Sequence, residues 1–149
     1  MKKISVLSLL LAVLLLVGCS GSTSSELIGE WEQTVEMNGV VSRAYYDFKS
    51  NGKLEQKLVI ESLIMNVEAE GECDYSYKGD EIRFKFSMDN FGFNKFEMEG
   101  VDESIIDASM EQMKRQYTGL EQELKNVKIE GDKLTATFNG MPITLTKVK

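Results

Sequence analysis

The chain has 149 residues, with 24 acidic against 17 basic side chains, a formal net charge of −7 and no histidine. The negative balance disfavours nucleic acid and anionic lipid headgroups as partners. The missing histidine excludes His-dependent triads, histidine zinc sites and the usual proton shuttle at neutral pH.

Met1-Lys2-Lys3 opens the chain with positive charge, and Ile4 to Val17 is apolar apart from Ser5 and Ser8. This is the charged start and apolar run of a secretory signal. The run is too short for a spanning helix, which needs roughly 20 apolar residues. Leu16-Val17-Gly18-Cys19 then resembles the lipobox of bacterial lipoproteins. The resemblance implies cleavage of residues 1–18 and attachment of diacylglycerol, with acyl chains of the palmitate class, to the Cys19 sulfur. Several chains hold a small domain firmly where one would not, at about 0.8 kcal/mol per buried CH₂. Ser20 to Ser25 reads as a flexible tether, so 19–25 are anchor and linker and 26–149 the folded domain. Loss of Lys2 and Lys3 would leave 15 basic against 24 acidic residues, a net charge of −9. The lipid, not surface charge, would then provide membrane attachment. By analogy with lipoprotein sorting, Ser20 implies the outer membrane, facing the periplasm, in a Gram-negative cell. A Gram-positive cell would place the domain outside its plasma membrane.

The domain is expected to be mainly β. Pro142 is its only proline, and glycines punctuate short alternating runs. Ile28 to Met37 sets Trp31, Val35 and Met37 against Glu30, Glu32, Thr34 and Glu36. Val41 to Lys49 sets Ala44, Tyr46 and Phe48 against Arg43, Tyr45 and Asp47. Asn51-Gly52 marks a hairpin, followed by Lys53 to Glu61, with Leu54, Leu58 and Ile60 on one face. Leu63 to Glu70 reads as a fourth strand. Tyr75–Phe86 and Val127–Phe138 echo each other, each a strand, a Gly-Asp turn and a second strand in the same register. Between them one helix is expected at about 104–118. Ser104 stands as N-cap with Asp107 three residues on, and Ile106, Met110, Met113 and Tyr117 share a face. Asn139-Gly140 opens a last turn, and Ile143, Leu145 and Lys147 share a face of the final strand. Eight to ten short strands joined by short turns form an antiparallel meander. Closing it into a barrel removes its two exposed edges. A two-sheet sandwich, or an open half-barrel packed on the helix, is the alternative.

Ile28-Gly29-Glu30-Trp31, followed by Tyr46-Asp47-Phe48-Lys49-Ser50-Asn51-Gly52-Lys53, resembles the start of lipocalin-like lipoprotein domains of bacteria. The Gly-x-Trp is the mark shared with lipocalins. The resemblance implies a basic residue of the last strand over that tryptophan, and Lys147 is the candidate. The helix departs from the pattern, because lipocalins carry theirs after the barrel.

The candidate chemistry is sparse. With Cys19 acylated, Cys73 is the one remaining thiol; no intrachain disulfide can form, and without histidine an inert buried thiol is expected. Asp102, Glu103, Asp107 and Glu111 gather at the helix start, where acids need no explanation beyond the macrodipole. No loop has calcium-site spacing. No catalytic residue, metal or cofactor is therefore expected. Phe91, Phe93 and Phe96 are expected to be core, with a ligand wall or a binding edge as the alternative. Gln33 and Gln56 fall on otherwise apolar rows, where amides could orient a ligand or sit in water at the barrel ends. With Tyr46, Tyr77 and Phe84 of the inward rows, and Met110 and Met113 of the helix, they are the candidate ligand-binding residues. The expected partner is a small apolar ligand or a cell-envelope protein. The inward rows carry many bulky side chains, and a barrel of about eight strands has room for those or for one small ligand.

Overall fold

The computed structural model describes residues 25–85, 90–117 and 119–149. Cys19, the leader and the tether up to Ser24 lie outside the described residues, as does Phe86. Among the described residues, nine strands and one helix follow in the order β1 (Gly29–Met37), β2 (Val40–Phe48), β3 (Lys53–Glu61), β4 (Met65–Lys78), β5 (Glu81–Lys85), β6 (Phe91–Met98), α1 (Glu103–Tyr117), β7 (Glu121–Glu130), β8 (Lys133–Phe138) and β9 (Met141–Lys147).

Turn chemistry sets the meander. Asn38-Gly39 and Asn139-Gly140 have both residues at positive φ, 53° and 76°, then 48° and 79°. That is the two-residue hairpin geometry whose twist matches the flanking strands. The two Gly-Asp turns also form hairpins, with φ of 63° at Gly79 and at Gly131. Their shared register is observed: Tyr77 pairs Ile82 as Ile129 pairs Leu134. The echo then breaks at a bulge between Lys125 and Lys128, where Asn126 takes a φ of 54°.

Eight strands close a barrel, all antiparallel, through β1-β2-β3-β4-β5-β7-β8-β9 and back to β1. The closing seam is short: Trp31 pairs Lys147 and Glu32 pairs Thr146, and the Val148 amide donates to the Glu30 carbonyl at 2.9 Å. β6 is the ninth strand. It exists because β4 is 14 residues long. One edge of β4 pairs with β3 from Asn66 to Asp74; the other is shared, Tyr75–Lys78 with β5 and Met65–Gly71 with β6.

The helix caps differently from expectation. Asp102, not Ser104, is the N-cap: its Oδ1 accepts from the Ser104 amide at 2.9 Å and the Ser104 hydroxyl at 2.7 Å. An aspartate just before the first helical residue outcompetes a serine already inside the turn, since charged acceptors bond more strongly. The same bonds hold the Asp102 carboxyl below its usual range.

Candidate functional site

The expected stack of lysine over tryptophan is present and seals one end of the barrel. Lys147 Nζ lies 5.1 Å from the Trp31 ring centroid and donates to the Glu26 carbonyl at 3.1 Å. Trp31 Nε1 donates to the Leu27 carbonyl at 2.8 Å. Gly29 makes this possible. Its φ is 121°, and an added Cβ would stand 3.2 Å from Lys147 Cε. Leu27, Trp31, Phe48, Leu54, Ile82, Leu134 and Leu145 are fully buried here. Phe48 and Tyr75 meet edge to face at 5.1 Å, and the Tyr75 hydroxyl donates to the Lys49 carbonyl at 2.9 Å. This end of the interior is filled by side chains, as eight-stranded geometry allows.

Strand register carries the inward face beyond this seal in successive rows. Trp31, Tyr46, Gln56, Gly71 and Phe91 form one row across β1, β2, β3, β4 and β6. Gln33, Ala44, Leu58, Ala69 and Phe93 form the next, and Val35, Ser42, Ile60, Val67 and Phe96 the one after. Met65 and Met98 end the series on β4 and β6. Ala69 and Val67 are buried, but most of their row-mates are only half-buried, and Val35 and Met37 are exposed. Leu63 and Ile64, in the turn leaving β3, are 97% and 63% exposed at this same end. The small residues Ser42, Ala44, Ala69 and Gly71 make a floor, and Phe91, Phe93 and Phe96 make a wall of edge-to-face rings 5.9 and 6.0 Å apart. This apolar trough is the candidate site.

The sequence candidates divide around it. Gln33, Tyr46 and Gln56 sit together in its first two rows, all half-buried. Burial raises the Tyr46 phenol above its ordinary value. Phe84 is buried in the filled part of the core. Tyr77 is half-buried against that core near Ile82, its phenol raised by burial first and then by Glu26 and Asp80. Met110 is half-buried on the helix, and the Met113 side chain is outside the described ones. Neither helix residue belongs to the rows. Phe91, Phe93 and Phe96 were expected as core, with a ligand wall as the alternative, and they are half-buried; of the floor residues, Ser42, Ala69 and Gly71 were missed from sequence. Alternating small residues at Ser42, Ala44, Ala69 and Gly71 were the available signal.

The opposite face of the same strands carries different chemistry. An open groove of about 820 Å³ crosses it, lined by Glu30, Asp47, Glu70 and Glu72 with Tyr45 and Asn94. Lys49 bridges Asp47 at 2.5 Å and Glu55 at 3.3 Å, and Lys53 reaches Asp74 at 2.9 Å. These ion pairs are solvent-accessible, Lys49–Asp47 in part and the others more fully, and of small net worth. Gln56 and Gly71, which register assigns to the inward rows, also border this groove, and Gln56 is the one sequence candidate that does.

Cys73 is buried at 8% exposure, and burial, then Asp74 and Glu72, push its thiol up to about 11. A thiol that resists ionising is a poor nucleophile. The acids at the helix start are exposed, and no group of three or more metal-ligating side chains is found among the described residues. No family model matches the sequence, and no curated protein matches it.

Proposed function

We propose that the chain is a lipid-anchored, non-enzymatic cell-envelope protein whose lipocalin-like barrel takes a small apolar ligand in the trough. One observation carries the reading: beyond the filled end, the inward rows are built of small and apolar residues that stay half-buried. Apolar area left partly in water is what an apolar ligand would cover, at about 25 cal/mol per Å². Gln33 and Gln56 supply the few polar groups that orient a ligand in such a site.

The anchor is consistent with this arrangement. Ser25 leaves the filled end beside buried Leu27. Cys19 lies six residues earlier in the sequence, a reach of roughly 20 Å. The filled end would face the bilayer and the trough would open away from it. The lipobox residues support the anchor itself, and mass spectrometry of protein extracted from membranes tests it. An unmodified Cys19 there ends that part of the reading.

Titration of residues 25–149 with an environment-sensitive hydrophobic dye, then displacement by palmitate, tests the ligand. Saturable binding is expected, lost when Ala44→Phe fills the floor. Non-saturable binding, or binding unchanged by that variant, overturns the reading. The filled end favours a second reading, a solid interaction module with its partner outside the barrel; a dye that never saturates would leave that one standing.

A further inference from the structure

We infer that the free edge of β6 joins the same edge of a second copy, making a two-fold dimer with a continuous sheet. β6 pairs with β4 along one side; its other edge pairs with no described strand. An unpaired edge offers a row of main-chain donors and acceptors to another strand. Proteins protect such an edge with proline, bulges or charged side chains, and charges of one sign repel a copy of themselves. β6 has no proline, and its exposed outward row carries one of each sign, Lys95 and Glu97, now 3.3 Å apart within the strand.

That pattern is self-complementary in one symmetric register. With the two-fold axis normal to the sheet, opposed residues share a face, so the axis passes through a residue pair. Placed at Phe96, it sets Lys95 opposite Glu97 of the second copy and Glu97 opposite the second copy's Lys95. Moved one residue toward the N-terminus, it sets Lys95 against itself. Moved one residue the other way, it sets Glu97 against itself. Opposed unlike charges favour a strand pair and like charges disfavour it. The bulge between Glu68 and Ala69 leaves Asn94 without a partner on β4, so the regular pairs of this register are Lys95, Phe96 and Glu97 against the same three of the second copy. The inward rings fit the same register. Phe96 would meet Phe96 of the second copy on the inward face, an aromatic pair adding to the three-ring wall. The inward rows of both copies would then lie on one face, an outcome that does not depend on whether the trough takes a ligand.

The test uses purified full-length protein in density-matched non-ionic detergent, with mass read by sedimentation equilibrium. A dimer is expected. Lys95→Glu and Glu97→Lys, each turning two attractive pairs into repulsive ones, should weaken it roughly tenfold or more. The double variant should restore it. These exposed changes leave the core intact, so they remain readable in folded protein. In a parallel arm, Phe96→Cys should form a disulfide-linked dimer above the wild-type background, and Gly92→Cys should not, because residue 92 faces no copy of itself. A monomer at every concentration reached, a dimer indifferent to both single reversals, or equal cross-linking at 92 and 96 would overturn the inference.

Discussion

Raising the pH should weaken the fold through Cys73. Its side chain packs in the core opposite Leu54, and burial holds the thiol at about 11 against an ordinary 9.0. In the unfolded chain the thiol ionises at its ordinary value. Between the two values the unfolded chain has lost a proton that the folded chain keeps, so stability falls as pH rises. The folded pKa is the raised one. Its contribution is therefore intact below about 9 and lost as pH climbs through about 11. Two pKa units correspond to on the order of 3 kcal/mol. Urea unfolding followed by far-ultraviolet circular dichroism would read this in wild type and in Cys73→Ala. Alanine should cost about 1–2 kcal/mol at neutral pH through lost packing, but it has no thiol to ionise. The two stability curves should converge and then cross as the solution is made alkaline. Tyrosines and lysines titrate in both proteins and cancel in the difference. A stability difference that stays constant across this window would refute the reasoning.

Trp31→Phe should cost about 1–3 kcal/mol, because the buried Leu27 carbonyl loses its donor. In a separate double-mutant cycle with Lys147→Met, Trp31→Leu, which removes the ring, should show a coupling of about 0.5–1 kcal/mol from the cation over it, and a coupling of zero would deny that contact any energy. Gly71→Ala would bring a Cβ to 2.6 Å from Phe91 Cδ2 and 2.7 Å from the Asn90 carbonyl. It should destabilise by about 1–3 kcal/mol, and hydrogen exchange should show β6 amides losing protection while β7 and β8 amides keep theirs. Asp102→Ala should shorten the helix at neutral pH. Acidification should do the same in wild type, because the carboxyl pKa is depressed and its contribution is lost as pH falls through the folded value; amide chemical shifts of residues 103–106 would report both.

Much of the barrel was legible. The chain reverses at Asn51-Gly52 and at Asn139-Gly140, Trp31 meets Lys147, and the two echoed hairpins share their first pairs. The trough was legible only in part. Gln33, Tyr46 and Gln56 were recognised because alternation alone assigns a residue to a row. The wall stood only as the alternative to core packing for Phe91, Phe93 and Phe96, because Phe91 to Met98 had not been recognised as a strand. Its partner, Met65–Gly71, precedes β5 in the chain, and a bulge interrupts the pairing. The fourth strand was expected to end at Glu70, yet it runs on to Lys78, so one strand carries two partners on one edge.

The amino-acid order by itself determined which side chains face inward and where the chain reverses, since both follow from φ, ψ and a period of two residues within a few positions. It did not determine how the sheet ends meet. Whether β1 finds β9, and how β4 divides its edge between β5 and β6, depends on contacts between residues far apart in the chain. The free energy that closes β1 on β9 comes from burying Trp31, Phe48 and Leu145 together, and no local window of sequence contains that sum.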